Sequence, residues 1–310
     1  MKNSIDSKIT PDKYLKLILN GFIIGIANVL PGVSGGTIAF IFGIYEDILF
    51  SIRSFNLNFL KLLLQLKFKE ARDLIPIKFL SLLSLGLILA IVIFSRLLVW
   101  LIQNEPILIN SFFFGLILAT VPLMGKVIKK WSIFVLFSII LSILGTFYLL
   151  NMVPVDTPDS LWFIFLCGAI SISAMILPGI SGSFVLLILG KYFYIMDAIN
   201  TRDLLILLIF LSGASLGLIF FVRLLSWLMN KYHDITIAIL TGFVVGSLSK
   251  IWPWKLIIDS IQKSNSKIIV IKEINILPSN LDFHLYLAIL LAVIGFFCAL
   301  LIDRSAKIEP

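Results

Sequence analysis

The sequence predicts an all-α polytopic membrane protein built as an inverted-topology repeat, each half a re-entrant helical hairpin plus three transmembrane helices. Three observations predict it. Of 310 residues, 60% are hydrophobic and 14% charged, with a mean hydropathy of +1.09. A soluble domain carries about 25% charged residues, so this much apolar surface has to face lipid. Apolar runs recur along nearly the whole chain. Two pairs of these runs are short and flank copies of one Pro-Gly-x-Ser-Gly loop.

The first repeat occupies 14–151. Its runs at 15–30 and 36–52 are each under the roughly 20 apolar residues a helix needs to cross the hydrocarbon, and Pro31-Gly32-Val33-Ser34-Gly35 separates them. We read 15–52 as a hairpin that enters the membrane, breaks and returns; two short spanning helices would leave the chain on the same side. Transmembrane helices follow at about 79–101, 107–125 and 132–150. The second repeat, 160–302, opens with a hairpin over 160–199 that breaks at Pro178-Gly179-Ile180-Ser181-Gly182. Its helices are expected at about 204–228, 235–250 and 283–302.

The repeat is explicit in the residues. Positions 21–45 align without gaps to 168–192, with 11 of 25 identical, including Leu30-Pro31-Gly32 with Leu177-Pro178-Gly179, Gly43 with Gly190 and Tyr45 with Tyr192. Positions 86–101 align to 213–228 with 8 of 16 identical, including Arg96 with Arg223 and Trp100 with Trp227. Three spanning helices is an odd number, so the second half enters from the opposite side. Matching Gly/Pro-interrupted segments in two inverted halves mark the binding region of many transporters.

Charge sets the orientation. With both termini in the cytoplasm, inside segments hold 16 Lys and Arg and outside segments hold 6, as the positive-inside rule requires. The outside loop 250–282 carries five Lys and is long enough to form a small external cap. The first apolar run has no small-residue cleavage site after it and is read as retained. The net charge of +8 lies in loops and suits anionic headgroups; no basic, aromatic-interleaved patch points to nucleic acid. Cys167 and Cys298 sit in separate apolar runs, and His233 and His284 at segment edges. No metal site or cofactor follows from them.

The loops carry the candidate chemistry. Proline stops the preceding helix and glycine permits the tight turn. The next helix begins near Gly36, and its first N–H groups lack internal partners. In hydrocarbon such donors need an acceptor, and an anion is one. Ser34 and Thr37 add hydroxyls in the first loop, Ser181 and Ser183 in the second. The candidate phosphate contacts are therefore Gly32, Ser34, Gly35, Gly36 and Thr37 with Gly179, Ser181, Gly182 and Ser183. The alternative use of such Gly-Ser loops is close helix packing.

Arg96 and Arg223 lie inside spanning helices, where a guanidinium suggests function and could hold phosphate oxygens in a bidentate way. Snorkelling to a nearby interface is the alternative. Asn28 precedes the first loop and could line the site; its counterpart is the apolar Met175. Glu46, Asp47, Lys191 and Asp197 fall on the return arms, as a pathway or as the exit to the interface. Tyr45 and Tyr192 read as interfacial anchors or packing residues. No pattern assigns a coupling ion, whether proton or sodium.

The paired Leu-Pro-Gly-x-Ser-Gly loops with their following Gly and Tyr resemble the PopT family of bacterial polyprenyl-phosphate transporters, over about residues 14–302. The resemblance implies a flippase of the bacterial cytoplasmic membrane. Its substrate would be undecaprenyl phosphate, returned from the outer to the inner leaflet so that the carrier lipid is recycled for peptidoglycan and other envelope polymers. The implied partners are polyprenyl phosphate and membrane lipids, and the implied protein is not an enzyme. Two alternatives differ in cargo or chemistry. One is a carrier of another phospholipid or a small anion. The other is an intramembrane polyprenyl pyrophosphate phosphatase, whose comparable loop carries an Arg directly after the Ser. Here Gly35 and Gly182 occupy that place, and no acidic residue lies between Asp12 and the first loop or between Asp159 and the second.

Overall fold

The computed structural model describes residues 4–7, 9–29, 33–152, 155, 157–262, 268–278 and 282–307. After α1 (Ser4–Ser7), the first half contains α2 (Tyr14–Val29), α3 (Gly35–Ile41), α4 (Tyr45–Arg53), α5 (Leu57–Leu64), α6 (Phe68–Leu74), α7 (Ile77–Asn104), α8 (Pro106–Val127) and α9 (Ile133–Leu150). The second contains α10 (Leu161–Ile176), α11 (Gly182–Ile188), α12 (Tyr192–Thr201), α13 (Leu204–Lys231) and α14 (His233–Ile251). It continues through a hairpin of β1 (Lys255–Gln262) and β2 (Ile268–Asn275) to α15 (Phe283–Lys307).

Among the described residues, α7, α8, α9, α13, α14 and α15 are long and apolar enough to cross a membrane. The 16-residue α2 and α10 extend about 24 Å, short of a hydrocarbon core of about 30 Å. The two halves match in helix length: α3 and α11 have seven residues each, and α7 and α13 have 28 each.

Helices pair where glycine removes the side chain between backbones. A Cβ on Gly86 of α7 would lie 1.9 Å from the Ile18 carbonyl oxygen of α2, and one on Gly213 of α13 would lie 2.0 Å from that of Phe165 on α10. These pairs lie within a half. The last two helices of each half instead exchange partners, α8 packing on α15 and α14 on α9.

Each return arm differs from the single runs read at 36–52 and 183–199. The arms are two helices each, α3 bending to α4 by 117° and α11 to α12 by 105°. Gly43 and Gly190 make the bends, at φ +68° and +67°. The Ile44 N–H donates to the Ala39 carbonyl at 3.1 Å, and that of Lys191 to Leu186 at 2.9 Å. Both are the six-to-one bond of a glycine C-cap. Hydropathy runs through Gly43 unbroken, so there only backbone conformation signals the stop, whereas Lys191 directly follows Gly190.

The segment 53–78 also differs from a plain loop. Asn56 caps α5 by accepting from the Phe59 N–H at 3.1 Å, and exposed Leu57, Leu60 and Leu64 give α5 an apolar stripe suited to lying in a membrane interface. Within 250–282, β1 and β2 pair antiparallel, Lys255 opposite Asn275. The hairpin base is tied to α14 by the Trp252 indole N–H donating to the Ile276 carbonyl and the Asn275 amide donating to that of Ser249, both at 2.8 Å.

Candidate functional site: two loops in contact

The two loops meet. Pro178 ends α10 and strands its last carbonyls, as helix C-termini do. Hydroxyls from the other half take them: Ser34 Oγ donates to the Leu177 carbonyl and the Tyr45 hydroxyl to that of Ile176, each at 3.1 Å. In return, Thr37 Oγ1 accepts from the Gly179 N–H at 3.1 Å. Gly36 permits the approach, because a Cβ there would lie 2.7 Å from the Ile176 carbonyl oxygen. Thr37 is wholly buried, and so nearly is Ser34. A Cβ on Gly179 would lie 2.6 Å from the Phe243 carbonyl oxygen, and Phe243 is midway along α14. The contact is therefore far from the ends of that helix.

The copies are not equivalent in their free donors. In the first, Gly35 N–H donates to Asn28 Oδ1 at 3.0 Å and Gly36 N–H to Ser34 Oγ at 3.2 Å. The expected uncovered amides at Gly35 and Gly36 are thus partnered by protein. In the second, Met175 stands beside Gly182, where its thioether chain offers no carbonyl oxygen. Ser181 Oγ pairs with Ser183 Oγ at 2.8 Å rather than capping α11. Among the described residues, no acceptor takes the Gly182 or Ser183 N–H. Ser181 is half-buried and Ser183 exposed, so this copy is the open one.

Other expected residues disperse. Gly32 lies outside the described residues. Arg96 and Arg223 are exposed on α7 and α13 and have no polar contact with the loops among the described residues. Glu46 is exposed in the first turn of α4, Asp47 is half-buried and Asp197 is exposed. Lys191 is buried, bonded to the Asp159 carboxylate and, at 2.6 Å, to the Thr157 carbonyl. It ties the segment between the halves to the bend at Gly190.

Sequence reasoning passed over two participants. The sequence reads Tyr45 as an anchor or packing residue, yet it ties the start of α4 to the end of α10 beside the loops; its recurrence in the repeat is the available signal. Lys250 was counted as loop charge, yet its Nζ lies 5.2 Å over the Phe184 ring, one residue from Ser183.

Over residues 24–269, which include both loops, the chain matches the family model described as undecaprenyl phosphate translocase-like. The chain belongs to that family. A Vibrio cholerae protein named polyprenyl-phosphate transporter is 43% identical over 246 residues, spanning 78% of this chain and 79% of that one. A Staphylococcus aureus protein of the same name is 30% identical over 255 residues, spanning 76% of this chain and 85% of that one. No solved structure matches.

Proposed function

We propose that this chain transports undecaprenyl phosphate from the outer to the inner leaflet of the bacterial cytoplasmic membrane, with both termini cytoplasmic. The observation that carries this is the contact between the loops, 34–37 against 176–179, at the level of the middle of α14. A phosphate cannot cross hydrocarbon alone, and a polyprenyl chain has no need to leave it. A protein that shelters only the headgroup suffices. The Gly182 and Ser183 amides with the Ser181 and Ser183 hydroxyls receive the phosphate first. Parting of the loops then frees the Ser34 and Thr37 hydroxyls and the Gly179 amide to take it over. Inverted repeats exchange such access by rocking one part against another. Arg96 and Arg223 act from the flanks as attractors for the phosphate, and Glu46, Asp47 and Asp197 line the exits.

The test is reconstitution into liposomes with a labelled polyprenyl phosphate, scoring leaflet exchange and phosphate release together. Exchange without release is expected, and it is lost when Ser34→Leu and Gly35→Leu are combined in a protein that still inserts. Release of phosphate, or full exchange by that double variant, would overturn the proposal.

A further inference from the structure

A second feature lies where α14 passes into the hairpin. Trp252, Pro253 and Trp254 make the turn, with Lys250 and Lys255 on either side. Both ammonium groups bond the same Glu273 oxygen, Oε1, at 2.8 and 2.5 Å. Two cations against one carboxylate leave a local charge of +1. An ammonium has three donors, and this bond uses one on each lysine. Lys250 also overhangs Phe184, so the cluster borders the open second loop.

Beside it, α8 and α15 line an open-sided cavity of about 390 Å³ together with Trp252, Pro253 and Trp254. Its wall is formed where Gly115 meets the Ala292 backbone. Leu118, Val293 and Phe297 line it and are themselves exposed, so it opens sideways toward lipid. The hydroxyl in its lining, Ser111 Oγ, already donates to the Ile107 carbonyl at 2.7 Å. A polar guest finds nothing there, and a hydrocarbon chain fits.

We propose that Lys250, Lys255 and this cavity form a reception site for the substrate: the ammonium pair takes the phosphate and the cavity takes the first isoprene units. It rests on the transport function proposed above. A phosphomonoester, with a charge of about −1.5 to −2 near neutral pH, competes well with one carboxylate for two ammonium groups. Its single chain matches one lateral opening next to that charge. From here Phe184 leads the headgroup to Ser183.

Binding of farnesyl phosphate to the full chain in phosphatidylcholine nanodiscs tests it, with inorganic phosphate as the tail-less probe. Ala292→Leu, which fills the cavity, is expected to weaken farnesyl phosphate about tenfold through lost methylene burial and to leave inorganic phosphate unchanged. Combined Lys250→Gln and Lys255→Gln is expected to weaken both probes. If Ala292→Leu does not fold, Val293→Trp at the exposed lip fills the same opening. Unchanged farnesyl phosphate affinity in the filled or the uncharged variant would overturn the proposal, as would displacement by phosphatidylglycerol at equal concentration. Leaflet exchange separates the two proposals. Wild-type rates in these variants would remove the reception site alone, whereas absence of exchange by the wild-type chain would remove the transport function.

Discussion

Thr37→Val isolates the bond that joins the loops. Valine keeps the shape of the wholly buried Thr37 and removes the oxygen that accepts from the buried Gly179 N–H. An unsatisfied buried donor costs about 1–3 kcal/mol. At about 1.4 kcal/mol per factor of ten, the joined state should lose about 5- to 150-fold in population against states with the loops apart. Amide hydrogen exchange reads that ratio directly. Peptides spanning 176–182 should exchange faster by about that factor, while those of α13 stay unchanged. Leaflet exchange in liposomes should change with them, because the proposed transport cycle requires both states. Thr37→Ser keeps the hydroxyl and should retain slow exchange. Wild-type exchange at 176–182 in Thr37→Val would refute the assignment, and equal damage from Ser and Val would move the cause to methyl packing.

Three further outcomes follow from neighbouring geometry. Gly43→Ala should cost about 1–2 kcal/mol of left-handed backbone strain, since nothing lies near its would-be Cβ, and Gly190→Ala should cost more, since its Cβ would lie 2.5 Å from the Val155 carbonyl oxygen; thermal unfolding in detergent ranks them, and equal losses would refute the contact. Met175→Asn should place an acceptor on the Gly182 N–H, as Asn28 does for Gly35; a bond of about 0.5–1.5 kcal/mol should slow lipid exchange by about two- to twelvefold, and no slowing would argue against that amide as a phosphate donor. Glu273 is raised by burial, but the bonds and charges of Lys250 and Lys255 outweigh this and hold its carboxyl below the ordinary range. A lowered folded value means the stabilisation is present at neutral pH and is lost as pH falls through that value. Amides at 255–258 and 273–276 should therefore loosen only in acid, and Glu273→Gln should abolish that acid step.

Hydropathy and the Pro-Gly breaks made the helices and the duplicated loops legible, because lipid solvation and proline act locally. The bends at Gly43 and Gly190 were not, since Phe42 and Ile44 flank Gly43 with no loss of apolarity. Missing the bend also hid Tyr45. On a straight arm over 36–52 a tyrosine reads as an interfacial anchor or a packing residue, whereas α4 folds back, buries it and sets its hydroxyl on the Ile176 carbonyl. The difference between Asn28 and Met175 was visible in the alignment. Its consequence, one set of amides filled and one open, depends on which backbone each side chain faces. Lys250 needed the hairpin to be placed, because Glu273 is 23 residues away and reaches it only after β1 and β2 pair.

The glycine contacts also constrain how the loops can part. Among the described residues, four helix pairs are locked backbone to backbone: α2 with α7 and α10 with α13 inside the halves, and α8 with α15 and α9 with α14 between them. A Cβ on Gly115 would lie 1.8 Å from the Ala292 carbonyl oxygen, and one on Gly242 would lie 2.7 Å from that of Ile139. Pairs this close have little room to slide, since moving them apart forfeits contact along their whole length. The halves therefore cannot separate as intact units, because the exchanged pairs hold them together. Motion has to occur where larger side chains meet, between the α2/α7 and α10/α13 units and the exchanged pairs. The loops hang from α2 and α10, so rocking these units against a fixed α8/α15 and α9/α14 core would break the Ser34, Thr37 and Tyr45 bonds and would also have to loosen Gly179 from the Phe243 backbone and α3 from α8.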